Sequence, residues 1–173
     1  MDNKKILIAT GGTGGHVFPA YALSKYLIKN RFSVEIVTDK RGFKFLSNYK
    51  DIKIKIITSA TIFKKNPFKV IFSFLQIILA FIYSTIHLLK TKPKIVFGMG
   101  GYASFRICIA SKLMGIPFIT YENNLHLGRA NKYLLPLAYK MFIAYSSLEG
   151  IKKQYNTKIV VIGNIIREEI LNY

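Results

Sequence analysis

Seven short apolar runs separated by helix-length spacers constrain this chain more than any other feature. They are KKILIAT (4–10), FSVEIVTD (32–39), IKIKIITS (52–59), PKIVFGMGG (93–101), residues 117–121, KMFIAYS (140–146) and KIVVIG (158–163). Strands this apolar are buried on both faces, as in a parallel sheet covered by helices. In the first spacer, Val17, Ala20, Tyr21, Ser24, Leu27 and Ile28 recur at mostly helical spacing and predict one buried helix face. Residues 103–114 and 127–138 predict two more helices, a short helix precedes the last run, and REEILNY (167–173) reads as a final one. Right-handed crossovers turn such an order into an α/β, Rossmann-like, doubly wound sheet. With strand order 3-2-1-4-5, the first and fourth strands become neighbours at the switch point. The chain leaves them in opposite directions, and a crevice opens above their carboxyl ends.

Glycines gather at those two ends. Gly11, Gly12, Gly14 and Gly15 follow the first strand, and Gly98, Gly100 and Gly101 accompany the end of the fourth. Glycine admits positive φ and close approach of a ligand. Each cluster also feeds a helix amino end, where free N–H groups and a dipole worth roughly 0.3–1 kcal/mol favour an anion. Two such ends over one crevice suit a ligand with two phosphates; the alternative is a pair of tight strand-to-helix turns. A dinucleotide fits poorly. Gly12-Thr13-Gly14 begins the fingerprint, but Val17 stands where its last glycine belongs, although Asp39 ends the second strand as a ribose-binding acid would. His16 sits in the first loop. Its imidazole titrates near neutral pH, and a helix amino end lowers its pKa, so it suits a general base. The competing readings are a helix cap or a phosphate contact.

Composition narrows the partners. Among 173 residues, 26 are Lys or Arg and 8 are acidic, a formal charge of +18, which draws the chain to a polyanion: nucleic acid, anionic lipid or a phosphorylated substrate. The aromatics lie within the apolar runs and no nucleic-acid module is visible, so nucleic acid is not the expected partner. The single cysteine, Cys108, excludes an internal disulfide and suits a reducing compartment. His16, His87 and His126 are scattered without zinc spacing, so neither a metal nor another cofactor is expected. The start, MDNKKILIAT, lacks the features of a signal peptide, and the expectation is a cytoplasmic chain.

GGTGGHVFPA (11–20), GGYAS (100–104), YENN (121–124), NKYL (131–134) and GNIIREEI (163–170) resemble, in order and spacing, the N-terminal half of the MurG family, glycosyltransferase family 28. The resemblance implies a GT-B architecture of which residues 1–173 form the acceptor- and membrane-side domain. The donor-binding C-terminal domain, with its own glycine loop, would lie outside this chain, which would be a fragment or one half of a split enzyme. The implied activity is transfer of N-acetylglucosamine from UDP-GlcNAc to lipid I, giving lipid II through a β-1,4 bond with inversion. His16 would be the catalytic base. Thr13, Gly14, Gly15, Gly100, Gly101, Tyr102 and Ser104 would bind the acceptor diphosphate. Thr13, Gly14, Gly15, Asn124 and Arg167 would meet UDP-GlcNAc, and Glu122 would support them by orienting a hydroxyl or a helix end. An ion pair with Glu168 or Glu169 is the other reading of Arg167.

The chain also departs from the family pattern. Phe105-Arg106 replaces Gly-Pro after Ser104, and Arg106 could add a phosphate contact. Tyr121 and Asn123 replace the His and Gln of H-E-Q-N, which removes an imidazole. Ile165 replaces a proline, a change expected to loosen that turn. Beside the transferase half stands a second class of function: a non-catalytic, membrane-recruiting subunit for a separate donor-binding chain.

Residues 70–89 carry no formal charge and would make a helix about 30 Å long. Ser73, Gln76, Ala80, Ser84 and His87 form a narrow polar or small stripe along it. Three readings compete: a core helix with the stripe outward, a membrane span, or a helix packed on the domain with an apolar patch in the lipid interface. A span conflicts with the need to return the chain to the same sheet. The favoured patch comprises Phe72, Leu75, Leu79 and Ile82 with Lys69 and Lys90, on an anionic inner-membrane surface. That agrees with the peripheral, cytoplasmic-face attachment that the family resemblance implies.

Overall fold

A computed structural model describes residues 4–57 and 67–167, with the helical path alone for 67–75. The chain runs β1 (Lys5–Ala9), α1 (Gly14–Lys29), β2 (Ser33–Thr38), α2 (Lys40–Leu46), β3 (Lys53–Ile56), α3 (Pro67–Thr91) and β4 (Ile95–Gly98). It continues with α4 (Gly101–Leu113), β5 (Phe118–Glu122), α5 (Arg129–Leu134), β6 (Lys140–Ile143), a 3₁₀ turn (Lys153–Lys158) and β7 (Ile159–Val161). The final helix expected at 167–173 lies almost wholly outside the described residues.

All strand pairs are parallel, in the order β3-β2-β1-β4-β5-β6-β7. The expected switch point is present: β1 has β2 on one side and β4 on the other, with Ala9 opposite Gly98. Alternation along β1 divides the core. Ile6 and Ile8 join Val17, Ala20 and Leu46 under α1 and α2, whereas Leu7 and Ala9 join Leu88, Ile107 and Leu134 under α3, α4 and α5. Cys108 is buried in the second cluster, and burial pushes its thiol up to about 12, the inert state of a structural cysteine.

The helix face read around α1 is largely correct: Val17, Ala20, Tyr21 and Ser24 are buried, but Ile28 is exposed. Helix α2 has no counterpart in the sequence reading. It is seven residues long, too short for a visible period, and Asp39 starts it by accepting a hydrogen bond from the Gly42 amide at 2.8 Å.

Helix α3 reverses the core-helix reading. Ser84 is fully buried and Ala80 half-buried, while Leu79 is 53% exposed, Tyr83 66% and Leu89 55%. Small residues let α3 approach α4 closely, and the buried Ser84 hydroxyl is satisfied by the Ala80 carbonyl at 2.8 Å. His87 Nε2 lies 3.3 Å from the Glu35 carboxylate on β2, tying the helix to the sheet. Burial favours the neutral form of Glu35, but contact with His87 and the charges of Lys53 and Lys5 outweigh it and bring its pKa down. Among the described residues no helix is long and apolar enough to cross a membrane.

Candidate functional site

The two glycine loops touch. A Cβ on Gly101 would lie 2.5 Å from the Gly11 carbonyl oxygen, so the backbones meet where no other residue fits. Gly100 and Gly101 also hold φ of +105° and +82°, the region that favours glycine. The loops therefore converge over one crevice. Gly12 does not serve a ligand: its amide donates to Asp39 Oδ1 at 3.2 Å. The same buried oxygen accepts from Gly42, which gives Asp39 an internal role in place of ribose binding.

Thr13 is the N-cap of α1 and Gly100 that of α4, and neither makes a side-chain capping bond. The first-turn amides, Gly14 and Gly15 in one helix and Gly101 and Tyr102 in the other, have no earlier carbonyl within their own helix to bond. Both dipoles end at the crevice and favour an anion there. Ser104 departs from its expected role. It is buried, a Cβ on Gly98 would lie 2.8 Å from its hydroxyl oxygen, and Cys108 Sγ is 4.0 Å away. At the fourth helical position its amide is also the first that the helix itself can bond. Arg106 likewise turns inward, 9% exposed and under the field of Asp39.

His16 occupies the third position of α1, with its ring against the second loop. A Cβ on Gly100 would come within 2.6 Å of Nδ1. Nδ1 is buried without a well-aligned partner, which leaves Nε2 as the nitrogen able to face a ligand. Burial lowers the His16 pKa below 6.5, against the opposing influences of the Glu122 charge and the Met99 carbonyl. The expected direction holds, with burial as the main cause.

The YENN stretch ends β5 and ties the neighbourhood together. Glu122 Oε1 accepts from the Asn124 amide at 3.2 Å and its side chain at 2.6 Å. Glu122 Oε2 accepts from the Gly128 amide and the Asn131 side chain, each at 2.9 Å. Its expected supporting role is thus an organising one: it holds the loop that carries Asn124 and the start of α5. Asn123, a departure from the family pattern, donates to the Gly15 carbonyl at 2.9 Å and so reaches the first glycine loop. Tyr121 donates to the Gly163 carbonyl at 3.2 Å and accepts from the Ile165 amide at 3.1 Å. Ile165 was expected to loosen this turn; the structure instead uses the N–H that a proline would lack. Arg167 stacks over Phe18 at 4.1 Å and donates to the Tyr49 hydroxyl at 3.2 Å.

The sequence profile of the glycosyltransferase family 28 N-terminal domain matches residues 6–143. The chain belongs to this family. It is 37% identical over 171 residues to the UDP-N-acetylglucosamine–N-acetylmuramyl-(pentapeptide) pyrophosphoryl-undecaprenol N-acetylglucosamine transferase of Agrobacterium fabrum, covering 99% of this chain and 45% of that protein. The same-named transferase of Rickettsia canadensis is 35% identical over 170 residues, covering 98% and 46%. The crystal structure of Acinetobacter baumannii MurG superposes with a TM-score of 0.75 at 26% identity, covering 91% of this chain and 45% of that one. This family 28 chain therefore spans about half the length of the relatives it matches, and its Rossmann-like sheet is that of a GT-B enzyme.

The Glu122 network yields a direct expectation. Glu122→Ala leaves buried donors unpaired and should lower the unfolding free energy by about 3 kcal/mol in urea titration. It should also move the His16 midpoint, followed by imidazole NMR, further below 6.5, because the charge that favours the imidazolium is gone. In the parent protein the lowered His16 pKa means that the unfolded chain takes up its proton first. That stability contribution is complete above about pH 6.5 and falls as pH drops through the folded midpoint. An unchanged or raised midpoint in the variant would contradict the coupling.

Proposed function

We propose that this chain is the acceptor-binding half of a transferase that moves N-acetylglucosamine from UDP-GlcNAc to lipid I, giving lipid II. The observation that carries the reading is the contact of two glycine loops at the switch point, with His16 between them. The first-turn amides of α1 and α4 hold the acceptor diphosphate. The 4-hydroxyl oxygen of the acceptor sugar attacks the anomeric carbon of the donor, the bond from that carbon to UDP breaks, and the configuration inverts. The hydroxyl proton passes to His16 Nε2. Burial keeps that imidazole neutral and ready to accept it. Asn124, held by Glu122, meets the donor sugar, and most donor contacts come from the second GT-B domain. Arg167 joins the donor side only by leaving Phe18 and Tyr49.

The same reading puts the chain peripherally on the cytoplasmic face of the membrane. Its support is the outward row of α3, where Ile78, Leu79, Ile82, Tyr83, Ile86 and Leu89 are exposed beside Lys90. Lys92 and Lys94 follow, and each cation near an anionic surface contributes about 1 kcal/mol. Lys69, Phe72 and Leu75 of the proposed patch lie where side chains are outside the described residues.

Transfer of radiolabelled GlcNAc to a short-chain lipid I analogue tests the division of labour. The chain alone should give no disaccharide. Fused to the remaining portion of the Agrobacterium fabrum relative it should be active, and His16→Ala should slow that fusion about 10²–10⁴-fold. Turnover by the chain alone, or undiminished transfer by His16→Ala, would contradict the assignment. Flotation with phosphatidylglycerol-containing vesicles at physiological salt tests the membrane face. The parent chain should float and Leu79→Glu/Ile82→Glu should stay at the bottom; equal behaviour of the two would discard the patch.

A further inference from the structure

The Tyr121 side chain does more than fill the core. Its ring belongs to the cluster under α1, yet both capacities of its hydroxyl are spent on one short stretch more than 40 residues away. The phenol O–H reaches the Gly163 carbonyl, and the same oxygen takes the Ile165 N–H. Gly163 turns the chain there with φ +80°, and a Cβ on it would meet nothing, so its conformation and not crowding calls for glycine.

Beyond the turn the segment crosses the amino end of α1. Ile165 packs on the core cluster, and Arg167 reaches Phe18 and Tyr49. Together with the first loop this segment borders an open surface cavity of about 350 Å³, lined by Gly15, Phe18, Ile166 and Arg167 among others. One wall of the space beside the first glycine loop is therefore formed by residues 165–167. Strand pairing carries the chain only as far as the Ile162 amide, which donates to the Ile143 carbonyl at 3.0 Å, and within the turn Asn164 adds a side-chain bond to the Tyr145 hydroxyl at 3.0 Å.

We propose that Tyr121 is a positioning residue: its two hydrogen bonds latch residues 163–165 to the end of β5 and so set the wall of this cavity and the approach of Arg167. The Ile165 N–H is half of the latch. The inference is independent of the reaction the crevice serves, so it stands or falls apart from the transferase reading. A core tyrosine whose hydroxyl had only found its nearest partners would predict a different outcome from the following test.

Tyr121→Phe keeps the ring and removes the hydroxyl; Ile165→Pro keeps the hydroxyl and removes the amide; Ile165→Val keeps both. Amide hydrogen exchange, resolved by NMR on the whole chain, reads the latch. In Tyr121→Phe the Ile165 amide, which loses its acceptor, should exchange about tenfold faster, while the amides of β1 and β4 are unchanged. Ile165→Pro should loosen Arg167 from Phe18, read as a change in the ring and guanidinium shifts, and adding Tyr121→Phe to it should give no further change. Ile165→Val should match the parent, since it retains the donor. Protection within twofold of the parent in Tyr121→Phe would overturn the latch. So would loosening of Arg167 in Ile165→Val equal to that in Ile165→Pro, because the side chain and not the hydrogen bond would then hold the segment.

Discussion

The crevice depends on one backbone contact, the second glycine loop lying directly on the carbonyl of Gly11. Parallel pairing brings Ala9 opposite Gly98, and the Met99 amide extends the ladder by donating to Ala9 at 2.8 Å. From that shared level the chain leaves β1 toward one face and β4 toward the other. Two helix amino ends are thereby aimed at one space by the sheet that carries them. Because a parallel sheet fixes the level of its strand ends, the geometry is inherited from the core and not assembled by the loops. Any Cβ at Gly101 would force the loops apart.

The end of β5 fixes what surrounds that contact. Three consecutive side chains each hold a different segment: Tyr121 the stretch after β7, Glu122 the loop into α5, and Asn123 the Gly15 carbonyl of the first loop. Glu122 is the most demanding of the three. A buried carboxylate is costly unless its oxygens are occupied, and here each accepts two N–H groups. The carboxylate is therefore spent on structure, and its influence on His16 acts at a distance through charge.

The parallel sheet, its order and the convergence of the glycine loops were legible in the sequence because period and glycine placement are local signals. Family likeness added roles for Asn124 and Arg167 that no periodicity could supply. What escaped was non-local. Nothing near Arg167 in sequence announces Phe18 or Tyr49, and nothing near Asp39 announces that the Gly12 amide will claim its oxygen. Ser104 was expected at the diphosphate, but α4 begins at Gly101 and turns its hydroxyl inward. Helix α3 shows a different limit. Its stripe was visible but left two packings open, and Ala80 and Ser84 face the core because small side chains permit close helix packing, against the core-helix reading and in keeping with the favoured one that turned Leu79 and Ile82 outward. The large apolar row that results points outward, which is the arrangement an interfacial helix requires.

The central claim is that both loops grip one diphosphate. Amide chemical shifts of the labelled chain, followed while geranyl diphosphate is added, address it most directly. The account predicts that Gly14, Gly15, Gly101 and Tyr102 move together along a single saturable curve, with inorganic phosphate a far weaker competitor. Movement confined to one loop, or centred at the opposite end of the sheet around Lys112 and Lys158, would contradict it.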